Sequence, residues 1–332
     1  MKKFLVIQTA FIGDVVLATG IIEKLHACYP DAQIDFLLRK GNEALLAGHP
    51  FLHEVLVWDK KQHKLRNLKK LIQKVRKTQY DYVINVQRFA ATGLLTALSG
   101  AKETIGFDKN PLSRWFTRRI PHIVSTAANP LHEIDRNHSL ITHLTDDQPA
   151  RPRLYPSKAD YEKVKAYKTA RYITISPASV WFTKQYPKEK WVAFINSLPK
   201  EIAIYLLGAP SDKELCTFIK AGSQEPNHVT DCSGQFSFLQ SAALMQDAMM
   251  NYTNDSAPMH FASALNAPVT AVYCSTIPAF GFGPLSDKRS IVEIAEPLDC
   301  RPCGLHGYKA CPRGHFHCAW KIREDQLLNS LQ

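Results

Sequence analysis

Short apolar runs alternate along the chain with longer amphipathic stretches, starting at the first residues. Residues 4–8 form a compact apolar run that predicts a buried strand, and residues 15–28 form a mostly apolar stretch that predicts a helix ending before Pro30. A short loop containing Gly13 joins them. The chain therefore opens with a strand, a loop and a helix.

The same alternation continues to the end of the chain. Strands that alternate with helices indicate an α/β fold with mainly parallel sheets covered on both faces. A segment rich in proline and basic residues at 148–158 predicts a linker, so we expect two domains, 1–155 and 156–332. Further strands are predicted at residues 33–39, 54–59, 80–87, 172–176, 202–207, 248–253 and 269–273, and helices at residues 63–79, 191–198 and 322–331.

Candidate site residues follow the ends of predicted strands. Asp14 follows the first strand, where a carboxylate can act as general base on a substrate hydroxyl, although a lone aspartate there more commonly caps a helix. In the second half, Lys184, Asp212 and Asp255 lie in three loops after strands. Because ligands of parallel sheets gather at the carboxyl ends of strands, these loops are expected to converge. Lys184 can neutralise a diphosphate, and Asp212 can accept hydrogen bonds from ribose hydroxyls.

The run Asn-Asp-Ser-Ala-Pro-Met-His at residues 254–260 lies where a strand should end and a helix should begin. Ser256 suits the helix cap, Pro258 suits the first turn, and the backbone N–H groups of that turn can bind an anion. His260, about one turn into the helix, can reach a phosphate oxygen. This pattern predicts half of a nucleotide site; the alternative is an ordinary strand-to-helix turn with capping residues.

A formal net charge of +11 indicates an acidic partner, which can be nucleic acid, anionic lipid headgroups or a phosphorylated substrate. Two stretches concentrate the positive charge: the predicted helix at 63–79, which includes Lys64 and Lys69, and the region 106–119, which includes Arg114 beside Trp115. These residues can contact an acidic acceptor. A charged helix face that is merely solvated is the competing interpretation.

Several classes of protein lose support. The chain has neither a Walker loop nor a Gly-x-Gly-x-x-Gly fingerprint, and no helix-turn-helix, zinc-finger or RNA-recognition signature supports nucleic-acid binding. No apolar run approaches the length of a membrane span. Gln8 and Asp14 interrupt the N-terminal apolar run that resembles a secretory signal, and the eight cysteines do not pair in an obvious way, which favours a cytoplasmic, reduced protein.

Four cysteines cluster near the C-terminus with a Cys-x2-Cys pair that is a common half-site for zinc. A structural zinc ion is one hypothesis, and free thiols or redox-labile disulfides are the others. The four residues are Cys300, Cys303, Cys311 and Cys318.

Four motifs that span nearly the whole chain resemble the glycosyltransferase family 9 heptosyltransferases. They are Phe-Ile-Gly-Asp-Val at 11–15, Ser-Pro-Ala-Ser at 176–179 with Thr183, Lys184 and Trp191, Leu-Gly-Ala-Pro at 207–210, and Thr-Asn-Asp-Ser at 253–256 with Met259 and His260. The resemblance implies a GT-B fold, in which an N-terminal acceptor domain and a C-terminal nucleotide-sugar domain, both Rossmann-like, face each other across a cleft. It also implies inverting transfer of heptose from ADP-heptose to the Kdo/heptose–lipid A inner core of lipopolysaccharide, without a required metal ion.

Residue by residue, the resemblance implies that Asp14 is the general base and that Lys184 stabilises the departing diphosphate. Asp212 would hold the adenosine ribose, and Asp255 with His260 would line the donor site. Further donor contacts fall at Ser179, Phe236, Ser256 and Ala257. Many family members have glycine where this chain has Ala257 and Pro258.

We therefore expect a cytoplasmic enzyme that binds the inner membrane peripherally, with the acceptor bound by basic side chains including Lys64, Lys69 and Arg114. One alternative is a family 9 transferase that uses another nucleotide sugar or glycan acceptor. Another is a basic nucleic-acid-binding protein. A third is a catalytically inactive nucleotide-binding module, against which the presence of both Asp14 and Lys184 argues.

Overall fold

The computed structural model describes residues 1–168 and 171–331. The chain divides into two compact units, Met1–Tyr155 (unit 1) and Pro156–Gln332 (unit 2). In the described residues each unit contains one six-stranded sheet whose neighbouring strands are all parallel. Both units are therefore α/β, as the alternating pattern predicts.

Unit 1 has strand order β3-β2-β1-β4-β5-β6. Its strands are β1 (Lys3–Ile7), β2 (Gln33–Arg39), β3 (Glu54–Trp58), β4 (Tyr82–Asn85), β5 (Glu103–Phe107) and β6 (Arg118–Ile120). Its helices are α1 (Ile12–Cys28), α2 (Lys64–Thr78), α3 (Ala90–Ala97) and α4 (Glu133–His138), with short 3-10 turns at Glu43–Leu46, Ser113–Trp115 and Thr142–Leu144.

The centre of unit 1 is β1, whose residues 4–7 are fully buried because helices cover both faces of the sheet. The chain after α4 returns across α1, where the Thr19 hydroxyl accepts the N–H of Arg153 at 2.9 Å. Gly20 permits this approach, since a Cβ there would lie 2.6 Å from the carbonyl oxygen of Ala150. The helix that carries Asp14 is thus held between the sheet and the last segment of the unit.

Unit 2 has strand order β12-β11-β10-β7-β8-β9. Its strands are β7 (Tyr172–Ser176), β8 (Ala203–Leu206), β9 (Val229–Asp231), β10 (Asn251–Asn254), β11 (Val269–Tyr273) and β12 (Arg289–Glu293). Its helices are α5 (Lys158–Val164), α6 (Lys188–Asn196), α7 (Lys213–Gly222), α8 (Phe238–Gln246), α9 (Ala257–Ala264), α10 (His317–Trp320) and α11 (Glu324–Leu328). The 3-10 turns that matter below are Phe182–Lys184 and Pro210–Asp212.

Each sheet has a switch point, which is the place where the strand order reverses. On its two sides the connections between strands run toward opposite edges of the sheet. In unit 1 the switch point lies between β1 and β4, and in unit 2 between β7 and β10. Loops that follow these strands open at the carboxyl edge of the sheet, which is where α/β proteins bind ligands. The loops that hold Asp14, Lys184 and Asp255 each follow a strand at a switch point.

The predicted strands at Gln33–Arg39, Tyr172–Ser176 and Val269–Tyr273 are confirmed at both ends. Other predictions need correction. The strand predicted at 80–87 is shorter, Tyr82–Asn85, and the strand predicted at 248–253 is observed at Asn251–Asn254. The first helix begins earlier, at Ile12, the helix predicted at 191–198 is observed at Lys188–Asn196, and the helix predicted at 322–331 is α-helical only over Glu324–Leu328. None of the helices in the described residues is long and apolar enough to cross a membrane.

Candidate functional site

In unit 2, two of the predicted site residues meet at the carboxyl edge of the sheet. The Nζ of Lys184, in the turn after β7, lies 2.6 Å from Oδ2 of Asp255, which directly follows β10, and the side chains are 15% and 9% exposed. The Thr276 hydroxyl, from the loop after β11, donates to the same carboxylate oxygen at 2.6 Å. Lys184 is thus a largely buried cation held by a hydrogen-bonded carboxylate, and Thr276 is a partner that the sequence analysis missed.

Asn254 orients the loop that carries Lys184. Its side chain is fully buried, its Nδ2 donates to the carbonyl of Pro177 at 2.7 Å, and its Oδ1 accepts the N–H of Tyr186 at 2.9 Å. One amide therefore ties both ends of the loop to the last residue of β10. These contacts assign Asn254 the role of orienting the loop.

The start of α9 differs in one respect from the prediction. Ser256 occupies the N-cap position, but its hydroxyl donates to the carbonyl of Asn254 at 3.4 Å, and among the described residues its side chain accepts no capping bond. The cap fails because Oγ is turned back toward the strand. Ala257 and Pro258 form the first turn, and His260 is 5% exposed within the helix. A contact between His260 and a phosphate remains a prediction.

The other predicted donor residues lie near the same edge or on neighbouring loops. Asp212 follows β8 and its Oδ2 accepts the N–H of Ala209 at 2.8 Å, so it closes the Pro210–Asp212 turn. Ser179, partly buried after β7, accepts the side-chain N–H of Gln185 on its carbonyl at 2.7 Å. Phe236 is partly buried, with its ring edge-on to Tyr167 at 5.1 Å between centroids.

In unit 1, Asp14 lies in the first turn of α1 and is partly exposed. Its Oδ2 accepts the N–H of Phe11 at 3.2 Å, which is the contact of a helix-capping aspartate. The geometry therefore supports the capping interpretation. It is compatible with a general base as well, because the carboxylate is partly exposed at the carboxyl edge of the sheet.

A buried acid shares this region with Asp14. In Glu133 and Arg136 of α4, each 8% exposed, Oε2 of the acid lies 2.7 Å from Nη1 of the arginine. Burial raises the pKa of Glu133 to about 7, the charges of Arg136 and Arg88 oppose that rise, and the charge of Asp14 adds to it. Glu133 therefore holds its proton up to near neutral pH. The sequence analysis noted neither residue as a site residue, because charged residues at a helix start have an ordinary explanation.

Positive charge accumulates at the ends of β2 and β3. The Nζ of Lys60 donates to the carbonyl of Thr9 at 2.9 Å and to its hydroxyl at 2.7 Å. Burial, together with the charges of Arg39 and Lys64, lowers the pKa of Lys60 to about 8. Lys64 begins α2, whose first turn also carries Arg66, so the helix dipole adds to the positive potential. We refer to Arg39, Lys60 and Lys64 as the basic cluster.

Of the three basic residues predicted to bind the acceptor, Lys64 belongs to the basic cluster. Lys69 is exposed five residues further along α2, about 140° around the helix axis from Lys64, so the two do not share a face. The Arg114 guanidinium stacks on the ring of Trp115 at 4.0 Å, and both side chains are exposed. Lys60 and Arg39 are the cluster members that the sequence did not predict, since Arg39 is the last residue of β2 and Lys60 lies two residues after β3.

The four C-terminal cysteines are free thiols in the structure. The Cys300 sulfur lies 3.9 Å from Nε2 of His315, and the Cys303 thiol donates to the carbonyl of Cys300 at 3.0 Å. Burial raises the pKa of Cys318 to about 12. In the part of the chain that the structure describes, no three side chains of the types that bind metals converge on one point. The residues are thus not arranged as a metal centre, and structural zinc remains a prediction.

Comparisons with known proteins agree on the class of the chain. The family model for glycosyltransferase family 9 (heptosyltransferase) matches residues 68–306. Lipopolysaccharide heptosyltransferase 3 of Escherichia coli is 27% identical over 281 residues, which are 80% of this chain and 82% of that protein.

Two solved structures share the fold over nearly their full lengths. The family 9 glycosyl transferase of Veillonella parvula DSM 2008 has a TM-score of 0.85 at 20% identity, covering 99% of this chain and 96% of that one. The E. coli ADP-heptose lps heptosyltransferase II has a TM-score of 0.80 at 22% identity, covering 100% and 97%. The fold is therefore the GT-B fold of these enzymes. Because the family model matches well over half of its residues, the chain belongs to glycosyltransferase family 9 (heptosyltransferase) and is a glycosyltransferase.

Proposed function

We propose that the protein transfers heptose from ADP-heptose to the inner core of lipopolysaccharide, with inversion at the anomeric carbon, in lipopolysaccharide core biosynthesis. The observation that carries this proposal is the buried pair of Lys184 and Asp255, 2.6 Å apart at the switch point of unit 2. The substrates follow the names of the relatives, which include the E. coli lipopolysaccharide heptosyltransferases 3 and 2.

The donor half of the proposal rests on charge. The diphosphate of ADP-heptose needs a cation and directed N–H groups, and Lys184 and the first turn of α9 lie at adjoining strand ends. As the bond to the sugar breaks, negative charge grows on the diphosphate, and a cation already held in position stabilises it without further reorganisation. The proposed donor contacts are Ser179, Asp212, Phe236, Asp255, Ser256, Ala257 and His260.

The acceptor half rests on unit 1. Phosphate and carboxylate groups of an inner-core acceptor would complement the basic cluster, to which we add Lys69 and Arg114 as peripheral contacts. Asp14 removes the proton from the acceptor hydroxyl, the resulting oxygen attacks the anomeric carbon, and ADP leaves with the electrons of the broken bond. The proposed mechanism gives one new glycosidic bond, ADP and one proton, and it requires no metal ion.

The test measures ADP release from ADP-heptose, with and without a delipidated inner-core acceptor that bears Kdo. Asp14→Ala should lower acceptor-dependent release about a hundredfold or more, since it removes the base. Asp160→Ala is the matched control, because Asp160 caps α5 through the same kind of contact, an Oδ2 that accepts the N–H of Ser157 at 2.8 Å. Release by Asp14→Ala at the wild-type rate would remove Asp14 from the mechanism.

The same assay tests the donor. Release from another nucleotide sugar, with none from ADP-heptose, would replace the proposed substrate with the alternative, a family 9 transferase of different specificity. Turnover that survives a chelator would support a reaction without a required metal. Metal analysis of the purified protein decides the separate question of zinc at the four cysteines, for which a near-stoichiometric content is the supporting result.

We also propose that the protein works at the cytoplasmic face of the inner membrane, bound peripherally through its positive charge. Co-sedimentation with vesicles rich in phosphatidylglycerol, but not with phosphatidylcholine vesicles, would support this location, and the bound fraction should fall as salt rises. Equal binding to both vesicle types would contradict it.

A further inference from the structure

The chain segment at residues 300–308 (the bracing segment) lies directly against the turn that carries Lys184. The N–H of Thr183 donates to the carbonyl of Tyr308 at 3.1 Å, and the N–H of Tyr308 donates to the Thr183 hydroxyl at 2.8 Å. These two reciprocal bonds join parts of the chain that are 125 residues apart. The residue next to Lys184 is therefore fixed by a segment from near the C-terminus.

Gly307 brings the bracing segment against Lys184 itself. Its φ is +78°, a conformation that favours glycine, and a Cβ there would lie 3.0 Å from Cγ of Lys184 and 3.0 Å from Oγ1 of Thr183. The backbone at Gly307 therefore forms a wall beside the aliphatic stem of Lys184. A larger residue would push that stem out of its position.

The beginning of the bracing segment supports Asp255, the carboxylate partner of Lys184, through the loop at residues 274–276. The Arg301 guanidinium donates to the carbonyls of Cys274 and Thr276, each at 2.8 Å, and forms an ion pair of 2.5 Å with Glu293. The N–H of Cys303 donates to the carbonyl of Ser275 at 2.9 Å. The loop at residues 274–276 is thus clamped, and it is this loop that supplies the hydroxyl bound to Asp255.

The turn that carries Lys184 and the loop at residues 274–276 are also bonded to each other. The Ser275 hydroxyl donates to the Thr183 hydroxyl at 3.0 Å, and the Ser275 N–H donates to the Thr183 carbonyl at 3.2 Å. Thr183 therefore sits at a junction between the Lys184 turn, the loop after β11 and the bracing segment. Because Thr183 is 1% exposed, this junction is sealed from water.

We propose that the bracing segment positions Lys184 for the leaving diphosphate, with Gly307 and Tyr308 holding the lysine turn and Arg301 holding the Thr276–Asp255 side of the pair. The inference rests on the proposed function, in which Lys184 stabilises the departing ADP. Lysine has a long, flexible stem, and a cation stabilises developing charge best when its position is set before the reaction. The residues of the segment act through Lys184 and Asp255, and we assign them no direct contact with substrate.

The test compares two glycines in the C-terminal region. Gly307→Ala and Gly314→Ala both place a side chain at a positive φ, +78° and +75°, but a Cβ at Gly314 has no atom within 4 Å among the described residues. Backbone strain is therefore matched. Gly307→Ala should lower kcat about tenfold or more, because the added Cβ must displace the stem of Lys184, and a misplacement of about 1 Å near the chemistry costs about a hundredfold. Gly314→Ala should keep kcat within about twofold of wild type, well short of that loss.

A double-mutant cycle separates positioning from a purely structural effect. In a Lys184→Gln background, Gly307→Ala should cause no further loss of kcat, because the group that it displaces is already gone. ADP affinity measured by calorimetry should follow the same pattern without any acceptor. Equal losses in both backgrounds, or equal losses in the two glycine variants, would overturn the inference.

If Gly307→Ala does not fold, Thr183→Val carries the test. It removes the hydroxyl that Tyr308 and Ser275 use, whereas Thr183→Ser retains it, so kcat should fall in the first variant and recover in the second. Failure of the proposed function would give a different result from failure of the bracing role. In that case Lys184→Gln would release ADP and bind ADP as the wild type does, whereas a large loss in Lys184→Gln with a normal Gly307→Ala would reject the bracing role alone.

Discussion

In unit 2 the positive charge at the carboxyl edge of the sheet is neutralised within the protein, whereas in unit 1 several positive charges lie beside one another. Lys184 has a carboxylate at 2.6 Å, itself held by Thr276. Lys60 instead donates to the neutral oxygens of Thr9 and lies near Arg39 and Lys64; burial, and then these two charges, lower its pKa.

The difference indicates two ways of binding an anion. The pair in unit 2 is organised before any ligand arrives, so a diphosphate meets a cation whose position is already set. The basic cluster in unit 1 carries an electrostatic cost until an external anion reduces the repulsion. We therefore expect changes in unit 2 to affect stability and turnover together, and changes in unit 1 to affect acceptor affinity with little loss of stability.

The largest effect is expected from Asp255→Ala. Removal of the carboxylate leaves Lys184 as a buried charge without its partner, which should lower the free energy of unfolding by about 3 kcal/mol and reduce turnover. Chemical denaturation and ADP release measure the two effects. The control is Asp212→Ala, a partly exposed turn residue, which should cost about 1 kcal/mol or less. A loss of stability in Asp255→Ala no larger than in this control would contradict the view of a preorganised pair.

A smaller effect, confined to the acceptor, is expected from Lys60→Met. Loss of one charge-assisted contact should raise the KM for the acceptor about tenfold, while ADP affinity and the free energy of unfolding stay near wild type. Initial-rate kinetics with varied acceptor, calorimetry with ADP and chemical denaturation measure these quantities. If Lys60→Met lowered the free energy of unfolding as much as Asp255→Ala does, the distinction between the sheet edges of unit 1 and unit 2 would be removed.

The pH dependence of acceptor binding sharpens the same comparison. The pKa of Lys60 is lowered from its ordinary value to about 8, so the side chain is charged below that pH and neutral above it. Acceptor affinity should therefore fall as pH rises through about 8, and Lys60→Met should lose this step. A bound anion favours the charged form, so the step should move to higher pH in the complex. An identical pH profile in the variant would assign the step to another group.

The smallest effects are expected at the exposed cations away from the basic cluster. Lys69→Ala and Arg114→Ala should each change the KM for the acceptor less than about threefold, and the change should vanish in high salt, because exposed charges are screened. Kinetics at two ionic strengths provide the measurement. A tenfold change that persists in high salt would move either residue into the acceptor site.

The sequence pattern predicts the centres of both sheets better than their edges. The strands Gln33–Arg39 and Tyr172–Ser176 are almost entirely buried and are rich in large apolar residues, because interior parallel strands are covered on both faces. The edge strand Arg118–Ile120 has only three residues, two of them exposed arginines, and it produces no such signal. The strands Glu103–Phe107, Val229–Asp231 and Arg289–Glu293 also escaped prediction.

The candidate site divides in a similar way. Lys184 and Asp255 could be placed together because both follow central strands, and parallel strands bring such loops to one edge. The roles of Thr276, Gly307 and Arg301 depend on contacts between distant parts of the chain, which local periodicity does not report. The failed cap at Ser256 has a local origin, since its hydroxyl donates to the carbonyl of Asn254, two residues earlier, and does not accept a helix N–H in the described part of the chain.

The bracing segment has a consequence for where the chain can be cut. Recognisable similarity to the family model stops at residue 306, between Arg301 and Tyr308. A fragment ended at that boundary would keep every described strand of both sheets together with Asp14 and Lys184. It would lack the two hydrogen bonds between Tyr308 and Thr183 and the fully buried side chains of Ile322 and Leu327. Its inactivity would wrongly suggest that the retained residues are not catalytic. If the bracing segment positions Lys184, the working length of the second unit extends past residue 306, where the match to the family model ends.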